Sequence, residues 1–304
     1  MFRLKLTVFV LLATINVFAQ KLKTIFLDKS DSNRNYYTII YPAIKPKGCL
    51  FLLAGFGESP ENVLLQTDLA QIAAKNGLLT VIPVLQDGVL SFGVDSLSQA
   101  TLAFIVKEVI DNQQLANLPL YMGGFSMGGA ATLMYAEKSA KKPNAIFAID
   151  PPLDFERFYY AAQRNIRLSK NGEQNPENLY IVERLEKETK GNPHSHKENY
   201  YQISPYSWSD STQTAIKKLL NTPIRIYSEP DINWWLKERQ QDLTSMNVSE
   251  CSALINELNR LGHKNAKLML TQDKGRRKPN NQKHPHSWSI VNNQSLINWL
   301  LKHK

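Results

Sequence analysis

Cysteine is scarce: 304 residues hold only Cys49 and Cys251. Two thiols close one bridge at most, so a disulfide-stapled scaffold is excluded. Cys49 opens an apolar run and Cys251 sits in a helix-like one, where buried free thiols serve as well as a bridge. Long single-sign charge blocks are missing too. Charged residues make up 21% of the chain against 43% hydrophobic, which argues against disorder and for a sizeable core. The net charge of +9 comes without a nucleic-acid motif or a ribbon of interleaved basic and aromatic residues, so no nucleic-acid partner is expected. Acidic polymers or an envelope surface suit such a charge, as does plain solubility. There is no internal repeat and no low-complexity tract. Metal-ligand spacing is lacking: His194 and His196 have no third ligand that can be placed, and His263 and His303 read as surface residues beside lysines.

The chain does carry a leader-like start. MFRLKLTVFVLLATINVFAQ places Arg3 and Lys5 before an apolar run that reaches Val17-Phe18-Ala19. This is the layout of a secretory signal peptide over residues 1–19, cleaved after Ala19. The run is short for a bilayer span and is interrupted by Thr14 and Asn16. No cysteine follows it, so no lipid anchor is expected. Cleavage would take the charge from +9 to +7 and leave a periplasmic or secreted protein without a stable membrane anchor.

Short apolar runs rich in β-branched residues recur at 36–41, 49–53, 78–84, 118–122, 145–149, 224–227 and 266–270. Each reads as a buried strand. Helix-period stretches lie at 60–75, 96–112, 127–139, 249–261 and 288–301. From about Leu78 strand and helix alternate, which predicts an α/β fold: a mostly parallel central sheet with helices on both faces. The pair at 36–41 and 49–53, before any helix, reads as an antiparallel edge. Residues 151–211 break the rhythm. They hold no clear buried strand and two helix-like pieces, at 155–168 and 176–187, and they are too long for a simple loop. They read as a cap-like helical insertion in one domain spanning 20–304, with an aromatic-rich content that forms either a substrate-facing surface or the insertion's own core.

Within this pattern stands Gly124-Phe125-Ser126-Met127-Gly128, after one strand and ahead of a helix. A linker would not be flanked by LPLYM and AATLMYA. A strained turn that lifts a serine hydroxyl above the sheet, with the following helix N-terminus aimed at the same spot, accounts for the glycines. Such an elbow requires an oxyanion loop earlier in the chain, then an acid, then a histidine. The turn in LLAGFGE offers the backbone N–H of Phe56, to act with that of Met127. Acids follow two later strands: Asp150 ends AIFAID, ahead of two prolines, and Glu229 and Asp231 lie in YSEPD. His286, in KHPHSWSIV, sits just before the last helix, with His284 two residues earlier.

In GFSMG, AGFG, YSEPD and HSW the chain resembles the α/β-hydrolase superfamily over roughly 36–301. The resemblance implies a triad of Ser126, Asp231 and His286. Asp231 falls at the D of the family's frequent G-x-x-D turn, with Ser228 in the glycine's place; Ala54 replaces the histidine common at the start of the oxyanion loop. It also implies a lid where 151–211 lies and an acyl-enzyme mechanism that needs no cofactor. The expected substrate is a small-molecule or glycan-linked carboxylic ester. A peptidase on the same fold and a non-catalytic binding protein are the alternatives.

Overall fold

Alternating strand residues face opposite sides of a sheet, and this chain's strands are apolar on both. Eight of them make the central sheet of the computed structural model, which describes residues 21–169 and 176–304; the expected leader and its cleavage site lie outside these. They are β1 (Leu22–Phe26), β2 (Tyr36–Ile40), β3 (Gly48–Leu53), β4 (Leu78–Val84), β5 (Leu120–Phe125), β6 (Ala145–Ile149), β7 (Ile224–Ser228) and β8 (Ala266–Leu270). Their spatial order is β1-β2-β4-β3-β5-β6-β7-β8. From β4 to β8 every pairing is parallel; β2 runs antiparallel to both β1 and β4. Two two-residue strands, β9 (Arg276–Arg277) and β10 (Gln282–Lys283), form a separate ribbon.

Cys49, Phe51 and Leu53 of β3 face one core and Leu50 and Leu52 the other. The helices divide the same way. The first face is covered by α3 (Ser96–Asn112), α4 (Met127–Lys138) and α10 (Val248–Arg260), through Leu102, Leu133 and Leu254 among others. The second is covered by α1 (Pro60–Gln66), α2 (Leu69–Lys75) and α11 (Asn293–Leu300), with Val63, Ala73 and Ile297 inside. The crossover from β6 to β7 holds α5 (Phe155–Leu168), α6 (Pro176–Thr189), α7 (Lys197–Ile203) and α8 (Thr214–Lys217), and α9 (Ile232–Arg239) follows β7.

Several expectations change. The strands at 36–41 and 49–53 are not a hairpin: β4 lies between β2 and β3, so only β2 belongs to the antiparallel edge. β1 completes that edge. Its residues are mostly exposed, so it carried no apolar signal. β8 is the opposite edge and is only partly buried, with Leu270 58% exposed. The stretch at 60–75 is two helices, because Thr67 turns extended and its hydroxyl accepts from the Leu69 N–H at 3.2 Å. The stretch at 288–301 is a short turn and then α11, restarted by the Asn292 side chain capping Ser295 N–H at 2.9 Å.

The aromatic content of 151–211 divides. Phe155, Tyr159, Tyr200 and Tyr206 are buried; Phe155, Tyr159 and Tyr200 pack with Met127 and Phe92 over the turn between β5 and α4. Tyr160 and Trp208 are exposed. Both cysteines are buried and free. Among the described residues no helix is long and apolar enough to cross a membrane.

Candidate active site

Ser126 stands where β5 ends and α4 begins, at φ 52° and ψ −122°. A non-glycine residue persists at positive φ only where its surroundings hold it. Here its N–H donates to Ile149 O of the neighbouring β6 at 2.8 Å, while its carbonyl accepts from Gly129 and Ala130. The flanking glycines are spatial necessities: a Cβ on Gly128 would lie 2.2 Å from Leu53 O, and one on Gly124 2.5 Å from the Gly128 backbone. The turn can approach the end of β3 this closely only without side chains there. The Met127 N–H, in the first helical turn, has no intrahelical acceptor.

The loop after β3 folds back as a turn in which Glu58 N–H donates to Gly55 O at 3.1 Å. Gly57 takes φ +80° and donates to Val89 O at 2.8 Å. The Glu58 carboxylate accepts from Gly55 N–H at 2.9 Å and from Trp288 Nε1 at 3.0 Å, joining this turn to the histidine-bearing loop. Phe56 packs against Phe92 and Tyr180, and its N–H has no acceptor among the described residues.

His286 lies against Phe125, ring centroids 4.5 Å apart, and its Nδ1 meets Asp150 Oδ2 at 2.6 Å. A carboxylate there accepts, which places the ring proton on Nδ1 and leaves Nε2 as the proton acceptor. Asp150 is itself held from three sides. Ser228 Oγ donates to Oδ1 at 2.6 Å, the Asp150 N–H donates to Tyr227 O at 2.7 Å, and Asn247 Nδ2 donates to its carbonyl at 2.9 Å. Its φ of +48°, unusual ahead of a proline, turns the side chain toward the histidine loop. Arg277 donates through Nε and Nη2 to the His286 carbonyl at 3.2 and 2.9 Å. Ser126, Asp150, Ser228 and His286 line one cavity of about 220 Å³.

The expected acid is therefore corrected. Asp231 does not reach His286: its carboxylate caps α9, accepting Trp234 N–H at 3.0 Å, and pairs with Lys283 Nζ at 2.7 Å. The Lys283 hydrogen bond, then the Trp234 N–H, hold its carboxyl below the usual range. Glu229 is buried and bound to Thr271 Oγ1 and the N–H groups of Lys274 and Gly275. The carboxylate at the histidine is Asp150. Ser228 and Asn247, which support it, had no signal of their own in the sequence. A later acid in the familiar turn masked the plainer clue, an acid directly at a strand end.

His284 also lies at this cavity, packed at a tilt against Trp234 with ring centroids 4.6 Å apart, and Arg239 Nη2 lies 3.3 Å from its Nε2. Burial first, then the charges of Arg277, His286 and Arg239, bring its pKa down to about 3. Among the described residues Asp87, Asp95 and Glu188 come close enough to share a cation, but Arg184 already pairs with Asp87 and Glu188 there. His194 is exposed and His196 half-buried, and neither joins such a group.

No family model matches the chain, and no curated protein does. Solved structures do. A thermostable carboxyl esterase from Bacillus coagulans aligns over 93% of this chain and 98% of its own, at 14% identity and TM-score 0.56. An S-formylglutathione hydrolase from Agrobacterium tumefaciens aligns over 93% and 95%, at 12% identity and TM-score 0.56. An acylaminoacyl peptidase from Pyrococcus horikoshii aligns over 94% of this chain and 40% of its own, at 13% identity and TM-score 0.57.

Proposed function

The chain has the α/β-hydrolase fold, and on that premise we propose that it is a serine hydrolase cleaving carboxylic esters through an acyl-enzyme on Ser126. The observation that carries this reading is the strained Ser126 at the strand–helix turn, in one cavity with a histidine oriented by a buried carboxylate. Ser126 Oγ attacks the ester carbonyl carbon while His286 Nε2 takes its proton. The carbonyl oxygen becomes an oxyanion held by the N–H groups of Phe56 and Met127. Two such fixed donors are worth about 3 kcal/mol or more of barrier. The oxyanion collapses, the C–O bond to the alcohol breaks, and His286 returns the proton to the leaving oxygen. Water, deprotonated by His286, then attacks the acyl carbon and releases the acid and free Ser126. Asp150 stabilises the imidazolium formed in each half, and Ser228 keeps Asp150 in place.

A fluorophosphonate probe should label the wild-type protein at Ser126 and leave Ser126→Ala unlabelled, with ester turnover falling by about 10⁴ or more. An unlabelled, folded wild-type protein would mark a binding protein on this scaffold. The peptidase reading has the Pyrococcus neighbour in its favour. A panel in which peptide amides outrank esters would establish it. Export, with a mature start at Gln20, belongs to the same proposal; N-terminal sequencing of protein recovered from an exporting host should begin there, and an intact Met1 would contradict it.

A further inference from the structure

Two arginines line the same cavity without a direct carboxylate partner. Arg239, at the end of α9, and Arg277, in β9, have no ion pair among the described residues. Arg277 spends Nε and Nη2 on the His286 carbonyl, which leaves Nη1 free. Between the two lies His284, 8% exposed. A guanidinium has no acceptor, so where Arg239 Nη2 meets His284 Nε2 the histidine nitrogen accepts and the ring proton sits on Nδ1. That Nδ1 faces the His286 backbone, a contact too poorly aligned to satisfy it fully.

The nearby acids are engaged elsewhere. Asp150 holds His286 and Ser228, Glu229 holds the 271–275 loop, and Glu58 joins Gly55 to Trp288. Glu177, on α6, also lines the cavity but makes no ion pair with either arginine. Burial first, then the charge of Arg239, push the Arg277 pKa down, while Glu58 and Glu177 act in the opposite sense without reversing it. Arg277 is half-buried and Arg239 exposed, so both guanidinium groups are open to an entering anion.

We infer that the cleft selects esters carrying a compact oxyanion, a carboxylate or a phosphate, bound by Arg239 and Arg277. The planar guanidinium fork suits either group, and the neutral imidazole between them does not compete for the charge. This inference rests on the reading of Ser126 and His286 as the reacting pair, because it assigns the anion to the substrate of that pair.

The test compares matched esters. Para-nitrophenyl hemisuccinate against para-nitrophenyl butyrate puts a carboxylate on the acyl side; para-acetoxybenzoate against phenyl acetate puts it on the alcohol side. In one of these pairs the preference for the anion, as a ratio of kcat/KM values, should fall roughly ten- to a hundredfold in Arg239→Gln, the size of one charge-assisted hydrogen bond. Arg239→Lys should restore part of it. Arg239 is the informative position because Arg277 also holds the histidine loop. A ratio unchanged in both pairs overturns the inference while leaving the hydrolase reading intact. Should Arg239→Gln not fold, competition on the wild-type protein decides: succinate or inorganic phosphate should inhibit butyrate hydrolysis more strongly than succinamide, and their ranking separates carboxylate from phosphate. Equal inhibition by all three overturns it. If the wild-type protein hydrolyses none of the esters, the hydrolase reading fails. The anion site is then read by quenching of tryptophan fluorescence with succinate and phosphate, where binding supports it and a flat titration overturns it.

Discussion

The loops that follow β6 and β7 invite direct comparison. The strands are parallel neighbours, each five residues long, and each ends in acid: Asp150 after β6, Glu229 and Asp231 after β7. Only the first loop turns its carboxylate to His286. After β7 the acids meet other donors. Glu229 is taken by backbone N–H groups of the 271–275 loop, and Asp231 by the start of α9 and by Lys283. After β6 the two prolines that follow Asp150 have no N–H to offer it, and its positive φ points it away from its own chain. Asp150 thus stays available to His286 because no backbone N–H or lysine claims its carboxylate, as they do those of Glu229 and Asp231.

The strongest way to break this comparison is to neutralise each acid in turn. Asp150→Asn should lower kcat by about 10⁴ on a neutral ester, because an amide at Nδ1 no longer fixes the tautomer or the imidazolium. Asp231→Asn should cost less than about tenfold, since the amide oxygen keeps the α9 cap and only the Lys283 ion pair is lost. Steady-state kinetics on both, with folding checked by circular dichroism, decides. The reverse order would return the role to Asp231.

Acid should weaken the β7 side by a smaller amount. The folded pKa of His284 is about 3 against the ordinary histidine value of about 6.5, so the unfolded chain binds the proton first. Its contribution to stability is complete above the unfolded value and is lost as pH falls through the window between the two. From pH 7 to pH 5 this amounts to about 2 kcal/mol. Urea unfolding at both pH values should show this drop in the wild-type protein and a flatter dependence in His284→Gln. Identical slopes would mean that His284 is not held neutral.

A far smaller effect than that of Asp150→Asn sharpens the β6 side. Ser228→Ala removes one hydrogen bond to the Asp150 carboxylate and should lower kcat about tenfold with KM little changed. A loss as large as that of Asp150→Asn would show that Ser228 holds the carboxylate unaided.

Much of this was legible along the chain. Local periodicity marked the strands from β2 to β8 within a few residues, and α3 and α5 end to end, because burial on two faces leaves a pattern in the residues themselves. The Ser126 turn was legible for a related reason: its glycines answer to backbone contacts within a few residues of the serine and to the end of β3. β1 was not legible, being mostly exposed and strand-like only through its pairing with β2.

The sequence by itself determined an α/β sheet, its helical covering and the position of one strained serine, since these follow from side-chain period and from the conformations glycine alone permits. Only the tertiary structure decided that β4 slips between β2 and β3, that Asp150 rather than Asp231 meets His286, and that Arg239, Arg277 and His284 converge on one cavity. Each of those outcomes depends on which of several chemically equivalent groups finds a partner first. That is settled by distances between segments more than a hundred residues apart or by a competing local donor, and neither leaves a period in the chain.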